Sequence, residues 1–305
     1  MRGVGLYLLG RVMQGLLVLI FVSMLTFLAL NFLPVYAPSN AMGTVASGVV
    51  SEPAFIHLAL PVQYLRWITG LLAPKNLKTV LALTVPTLAL LTISGAISLV
   101  VALTLASIQA RFRGRLIDRM LGTLAYALYT LPAFWVGLML LWVFADVLLW
   151  LPATGPQPVP STGLFDWPMH MILPVATMVI TTVASWANQF RSAMEAALVS
   201  DYVRTARAKG VHEGRILRRH VLRPASLPVI TAVGMSLPTM FNNLVGVEVV
   251  FVMSGLGGAI TGMIGELQYG VSGYLVLAIA AITFAGSLFA DVLYAMADPR
   301  IQFAG

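Results

Sequence analysis

Eleven Asp and Glu side chains, four histidines and no cysteine are all that this chain offers for acid–base, metal or thiol chemistry. Without cysteine there is no disulfide, no thiolate metal site and no cysteine nucleophile. His57, His170, His212 and His220 lie in separate regions, so a shared metal site is not expected. Ser161 and Ser185 lack the G-x-S-x-G setting of an exposed nucleophile, and no nucleophile stands at readable spacing from a base. Lys209 followed by Gly210 has the reverse order of the phosphate-cradling G-x-x-x-x-G-K-[ST] loop, so the chain does not bind ATP by that route. No catalytic residue, cofactor ligand or metal ligand is expected. Four carboxylates remain of interest because they flank long apolar stretches. Asp146 and Asp291 are expected at membrane interfaces. Glu248 and Glu266 are expected to serve an outer gate or the docking of an outer partner, each near a span end where hydration is cheap.

The body that must hold these side chains is oily. Of 305 residues, 59% are hydrophobic and 10% charged, with a mean hydropathy of +0.91. Soluble domains are about 45–50% apolar and about 25% charged, so the composition implies a polytopic membrane protein. Crossing about 30 Å of hydrocarbon at about 1.5 Å per residue takes about 20 uncharged residues. Stretches 12–33, 79–110, 120–145, 169–190, 224–247 and 267–290 qualify, which predicts an all-α fold with six transmembrane helices. The first is too long for a signal-peptide core and is followed by NFLP, without a small-x-small cleavage site, so it reads as a retained anchor.

Three regions follow: 1–33 with the first span, a short extracytoplasmic segment 34–78, and a core of five spans, 79–305. Within the second, 61–72 (PVQYLRWITGLL) spaces Tyr64, Leu65, Ile68, Leu71 and Leu72 at helical intervals beside Trp67, predicting a short amphipathic helix at the outer interface. Gly255, Gly257, Gly258, Gly262 and Gly265 read as close helix contact, with a re-entrant turn at the outer mouth as the alternative.

The net charge of +7 finds its explanation in topology. With the N-terminus inside, the inner segments carry Arg2, Arg11, Arg111, Arg113, Arg115, Arg119, Arg191, Arg204, Arg207, Lys209, Arg215, Arg218, Arg219, Arg223 and Arg300. Only Arg66, Lys75 and Lys78 stay outside. This positive-inside bias puts both termini in the cytoplasm and removes the case for nucleic acid as a partner.

The charged stretch 191–223 (RSAMEAALVSDYVRTARAKGVHEGRILRRHVLR) stands apart. Ser200 or Asp201 can cap a helix over 202–209, Gly210 supplies a left-handed end, and Arg207 and Lys209 complement the C-terminal dipole. A second helix is expected over 212–222, ending before Pro224. Its arginines read individually as topology determinants. As a unit, two short helices hinged at a glycine make a knob suited to a partner's groove.

Here the residues carry a resemblance. DYVRTARAKG, from Asp201 through Tyr202, Arg204, Thr205, Ala206, Arg207, Ala208 and Lys209 to Gly210, resembles the ATPase-coupling loop of bacterial ABC importer permeases, in the form used by the dipeptide/oligopeptide (and nickel) permease family. Stretches 130–155, 218–231 and 291–301 are similar to that family's third span and outer loop, entry to its fifth span, and C-terminal end. Arg204, Thr205 and Ala206 fall where the general motif has Glu-Ala-Ala, and Gly210 falls on its glycine. The resemblance implies a type I ABC importer permease-like fold with cytoplasmic coupling helices in the bacterial inner membrane. It implies as partners a second homologous permease, one or two ATP-binding cassette ATPase subunits that bind ATP and Mg, and an extracytoplasmic substrate-binding protein. It also implies that charged or bulky substitution at Ala206 or Gly210 abolishes ATP-driven uptake while membrane insertion survives.

The chain departs from the family on its outer side. The segment 34–40 (PVYAPSN) is short and lacks the family's Pro-Gly-Asp-Pro-like turn, and 248–257 (EVVFVMSGLG) lacks its Trp-Pro pair. These changes bear on substrate choice among peptides, metal chelates and other small solutes. The alternative of an ATP-independent channel or secondary carrier needs an ionisable group at mid-membrane, and the charges avoid the middle of every predicted span. A membrane-embedded hydrolase lacks a legible constellation.

Overall fold

A computed structural model describes residues 2–32, 59–155, 166–265 and 269–297. Among the described residues there is no strand. Eleven α-helices follow in order: α1 (Arg2–Phe32), α2 (Leu60–Gly70), α3 (Pro74–Arg111), α4 (Leu116–Tyr129), α5 (Ala133–Leu141), α6 (Asp166–Leu198), α7 (Asp201–Ala208), α8 (Glu213–Ile216), α9 (Leu222–Val250), α10 (Leu256–Gly265) and α11 (Tyr269–Ala297). Among the described residues, four are long and apolar enough to cross a membrane, and the number rises to as many as six when each of two bent pairs counts as one span.

The core is built on a seam of small side chains. Ser94, Ser98, Ala102, Ala106 and Ala110 recur every fourth residue on α3 and are all buried. This spacing puts them on one face, where short side chains let helices approach closely. The face packs on α6, the most extensive contact between any two elements. Trp186 of α6, 2% exposed, donates its indole N–H to Ser236 Oγ of α9 at 2.8 Å, joining the next pair.

The predicted third span is not one helix. α4 and α5 meet at 99°. Pro132 has no N–H and sits in extended backbone (φ −62°, ψ 138°) as the N-cap of α5, so Tyr129 is the last residue of α4. The apolar run concealed this break because hydropathy does not register a missing hydrogen-bond donor.

At the periphery, α1 touches α11 through an Arg11–Asp291 ion pair of 3.1 Å, and the Phe284 ring lies where a side chain on Gly15 would stand. The amphipathic α2 forms as expected and straps the same helices. Tyr64 shares a 2.7 Å hydrogen bond with Ser23 of α1, while Trp67 stacks on Tyr274 of α11 at 5.3 Å and accepts its hydroxyl proton through the backbone carbonyl at 2.8 Å.

Candidate functional site

α7 starts after only two residues beyond α6, with Ser200 as N-cap in extended backbone (φ −69°, ψ 153°). Asp201 in the first turn faces the positive end of the helix dipole and Arg207 in the last turn the negative end. The helix stops in a complete Schellman turn. Gly210 adopts φ +72°, its N–H bonds Arg207 O at 2.9 Å, and Val211 N–H bonds Ala206 O at 3.1 Å. His212 then caps α8, its ring Nδ1 accepting the Gly214 N–H at 3.2 Å.

An ion pair closes the turn. Arg207 donates Nε to Glu213 Oε1 at 2.7 Å and Nη2 to Oε2 at 3.2 Å. The hydrogen bond from Arg207 holds the Glu213 carboxyl below its usual range, and the same bond raises the guanidinium.

The inner side of this knob is fused to the core. Val203, Ile216 and Val221 have no exposed surface and Ala206 is 6% exposed, within one cluster that includes Met194 and Ala197 of α6. Asp201, Tyr202, Arg204, Thr205, Arg207, Ala208, Lys209 and Gly210 face outward. The structure therefore brings the sequence-predicted residues into one capped helix but corrects Ala206. Its methyl group belongs to the chain's own core because, at position 206, it shares the inward face with Val203 three residues earlier. A bulky residue there acts first on folding.

The expected helix end before Pro224 is also corrected. α8 runs through a π-turn (Leu217–Val221) directly into α9. Pro224, the third residue of α9, has no N–H to continue the hydrogen-bond ladder, and the wider π-turn just before it lets the helix pass through this interruption instead of ending. The α7 unit is thus continuous with both α6 and α9.

At the opposite end of α9, about 40 Å away at about 1.5 Å per residue, the chain turns into α10. Glu248 has no exposed surface. Its Oε1 accepts the Thr87 hydroxyl of α3 at 2.7 Å, and its Oε2 accepts the backbone N–H of Gly257 at 2.7 Å and of Gly258 at 3.1 Å. Thr87 Oγ1 in turn accepts Leu256 N–H at 2.9 Å. The first three N–H groups of α10, which have no partner within their own helix, are all satisfied by side chains of α3 and α9. The expectation of a hydrated span end does not hold for Glu248, which can present no carboxylate to a docking partner. It braces a corner. Glu266 lies outside the described residues.

Close contact holds at Gly257 but not at Gly262, where no atom lies within 4 Å of a Cβ position. Gly257 permits close contact, since a Cβ there would stand 2.8 Å from Val245 Cα. Gly257 and Gly258 also give their N–H groups to the turn around Glu248. Thr87 carried no signal in the sequence beyond being a polar residue in a span, and neither did a second cluster at the α3–α4 corner. There Asp118 of α4, with 3% of its side chain exposed, meets Arg191 of α6 at 3.1 Å. Among the described residues no group of His, Asp and Glu is arranged to hold a metal ion.

Comparison with known proteins agrees with this architecture. The sequence profile of the family described as "Binding-protein-dependent transport system inner membrane component" matches residues 98–303. A probable peptide ABC transporter permease of Sinorhizobium fredii is 28% identical, with 98% of this chain and 100% of the relative aligned. An oligopeptide transport system permease of Bacillus subtilis is 30% identical, covering 97% and 99%. Among solved structures, the inward-facing MetNI methionine ABC transporter superposes with a TM-score of 0.59 at 14% identity, over 74% of this chain and 99% of the other. An amino acid ABC transporter with histidines gives 0.52 at 17%, over 74% and 96%. The similarity to these two structures concerns the fold.

Proposed function

Because the chain belongs to the family of inner membrane components of binding-protein-dependent transport systems, we propose that it is one of two permease subunits lining the path of an ATP-driven peptide importer. It is a multi-pass permease subunit of an ABC importer, a transport component rather than an enzyme, and its family works with ATPase and substrate-binding partners. Peptides are the proposed substrates because several relatives are named for peptide or oligopeptide transport. The second permease is a homologous subunit. One or two cytoplasmic ATPase subunits bind the ATP and Mg, and both termini of this chain are cytoplasmic, a placement that its cation distribution supports.

The observation that supports ATPase coupling is the outward face of α7. Eight of the nine DYVRTARAKG residues assigned to coupling are exposed there, on a helix whose inner residues Val203 and Ala206 are buried and which packs on α8 and the π-turn leading into α9. Closure of the ATPase pair on ATP pushes such a knob as a solid piece, carrying α6 and α9 and shifting an inward-open against an outward-open population. Glu248 and Glu266 belong on this reading to the outer gate and binding-protein side, with Glu248 as an internal brace.

The test is purification of the tagged chain from its native membrane in mild detergent. A second permease and Walker-motif ATPase subunits co-purify, and Arg204→Glu with Lys209→Glu removes the ATPase while the permease pair persists. A solitary chain, or undiminished ATPase with the double substitution, overturns the reading.

A further inference from the structure

α4 opens with Leu116 and Ile117, so Asp118 is its third residue and its carboxylate lies in the first turn. Oδ2 accepts the N–H of Gly114, which turns the α3–α4 corner at φ +75°, at 2.9 Å, and it accepts Arg191 Nη2 at 3.1 Å. Arg191 Nε reaches Glu195 Oε1 at 3.0 Å one turn further along α6, and Arg113 Nε of the corner stands 3.8 Å from that same oxygen. Gly122 leaves the space the guanidinium occupies, since a Cβ there would stand 3.3 Å from Arg191 Nη1. Two cations and two anions thus balance within one cluster that joins the corner, α4 and α6.

This cluster sits on the stem of the coupling unit. Arg191 precedes Leu198, the end of α6, by about 10 Å of helix at about 1.5 Å per residue, and α7 follows after Val199 and Ser200. Sliding the stem past the corner would leave the Asp118 carboxylate buried without its cation, which is strongly unfavourable. From the corner, α4 leads through the Pro132 bend to α5, whose Gly137 leaves room for Val250 and Phe251 beside the Glu248 brace, a Cβ there standing 3.4 and 3.2 Å from their side chains.

We propose that Asp118 and Arg191 are positioning residues of the transport cycle, their ion pair making the α3–α4 corner travel with α7. The lever then has three arms, α6, α9 and α4–α5. This rests on α7 being the ATPase-docking helix. It adds that the motion reaches α4 through one charge pair.

The whole transporter, reconstituted in vesicles with its binding protein and a casein digest as peptide source, tests this through peptides captured per phosphate released. Asp118→Asn and Arg191→Gln lower that ratio at least fivefold in complexes that retain their ATPase, and Arg191→Lys restores at least half of it. A ratio that stays unchanged in the Asn and Gln variants overturns the proposal, as does Lys behaving like Gln. Because this chain has no cysteine, spin labels on cysteines placed at Met120 and Ser192, in a transporter whose other subunits have had their cysteines replaced, report the corner and the stem of this chain. Their separation stays constant between the nucleotide-free and ATP-trapped transporter, and a change in it overturns the proposal without recourse to the variants. Failure of the docking assignment shows differently, as an ATPase that does not co-purify with the unsubstituted chain.

Discussion

Arg207 and Glu213 hold each other across the turn at Gly210 through two parallel hydrogen bonds, 2.7 and 3.2 Å long, so the last turn of α7 and the first turn of α8 are fastened by a fork of charge. Both side chains are largely in water, at 45% and 67% exposure, so solvent screening limits the pair to a few tenths of a kcal/mol, about 0.5 at most. Its role is to narrow the conformations of a turn that already has its backbone bonds.

The pair has a defined pH dependence. Glu213 titrates below its ordinary 4.5 in the folded loop, so the unfolded loop binds the proton more readily. The contribution is fully present above about 4.5, including at neutral pH, and is lost as pH falls through the lower folded value. Amide exchange of Gly210 and Val211, corrected for intrinsic rates, is expected to be flat from pH 7 to 5 and to accelerate below 4.5. In Glu213→Gln it is faster and flat throughout. Acceleration already between pH 7 and 5 in the natural chain contradicts the assignment.

Gly210 is required by backbone angle alone. No atom lies within 4 Å of where its Cβ would be, while φ is +72°. Gly210→Ala therefore adds no clash and costs about 1–2 kcal/mol of left-handed strain, and Gly210→Asn costs less because Asn tolerates that region. The expected result is a chain that inserts and folds but whose Val211 amide loses protection, more in Ala than in Asn. Equal protection in both variants would place the source of the turn elsewhere.

Ala206 and Ala208 are two residues apart and nearly opposite on the helix, and they should separate folding from docking. Ala206→Leu overpacks a site against Val203 and Ile216 and is expected to cost about 1–3 kcal/mol, seen as a lower midpoint of thermal unfolding in detergent. Ala208→Leu should leave that midpoint unchanged and weaken only the retention of ATPase. Equal midpoints for the two variants would show that Ala206 is not a core residue.

What could be read beforehand divides along the range of the interactions. α7 with its start after Ser200 and its Gly210 end, and the amphipathic α2, depend on neighbours within a few residues, and the sequence displays those directly, although the Ser200 hydroxyl turns back to Ala197 O and makes no capping bond. The third span's bend at Pro132 was also local, but it lay inside an apolar run whose hydropathy masked it. Glu248 with Thr87, and Asp118 with Arg191, join residues 161 and 73 positions apart. Nothing in either local pattern names the partner, so Glu248 looked like a hydrated span end and Asp118 drew no reading at all.

The Glu248 brace yields the last prediction. Removing Thr87 Oγ by Thr87→Val strips one donor from Glu248 Oε1 and the acceptor from Leu256 N–H. Glu248→Gln replaces one carboxylate oxygen by an amide donor, which leaves either the N–H groups of Gly257 and Gly258 or the Thr87 hydroxyl poorly matched. A buried group left without its partner costs about 1–3 kcal/mol, so each single variant should lower the thermal midpoint. The two changes damage one network, so the double variant should be less destabilised than the sum, with a coupling of about 0.5–3 kcal/mol. Additive effects would mean that Thr87 and Glu248 support α10 independently. Because α10 meets α3 and α9 through this corner, a coupled result identifies the joint that any displacement arriving along α9 must either carry whole or break.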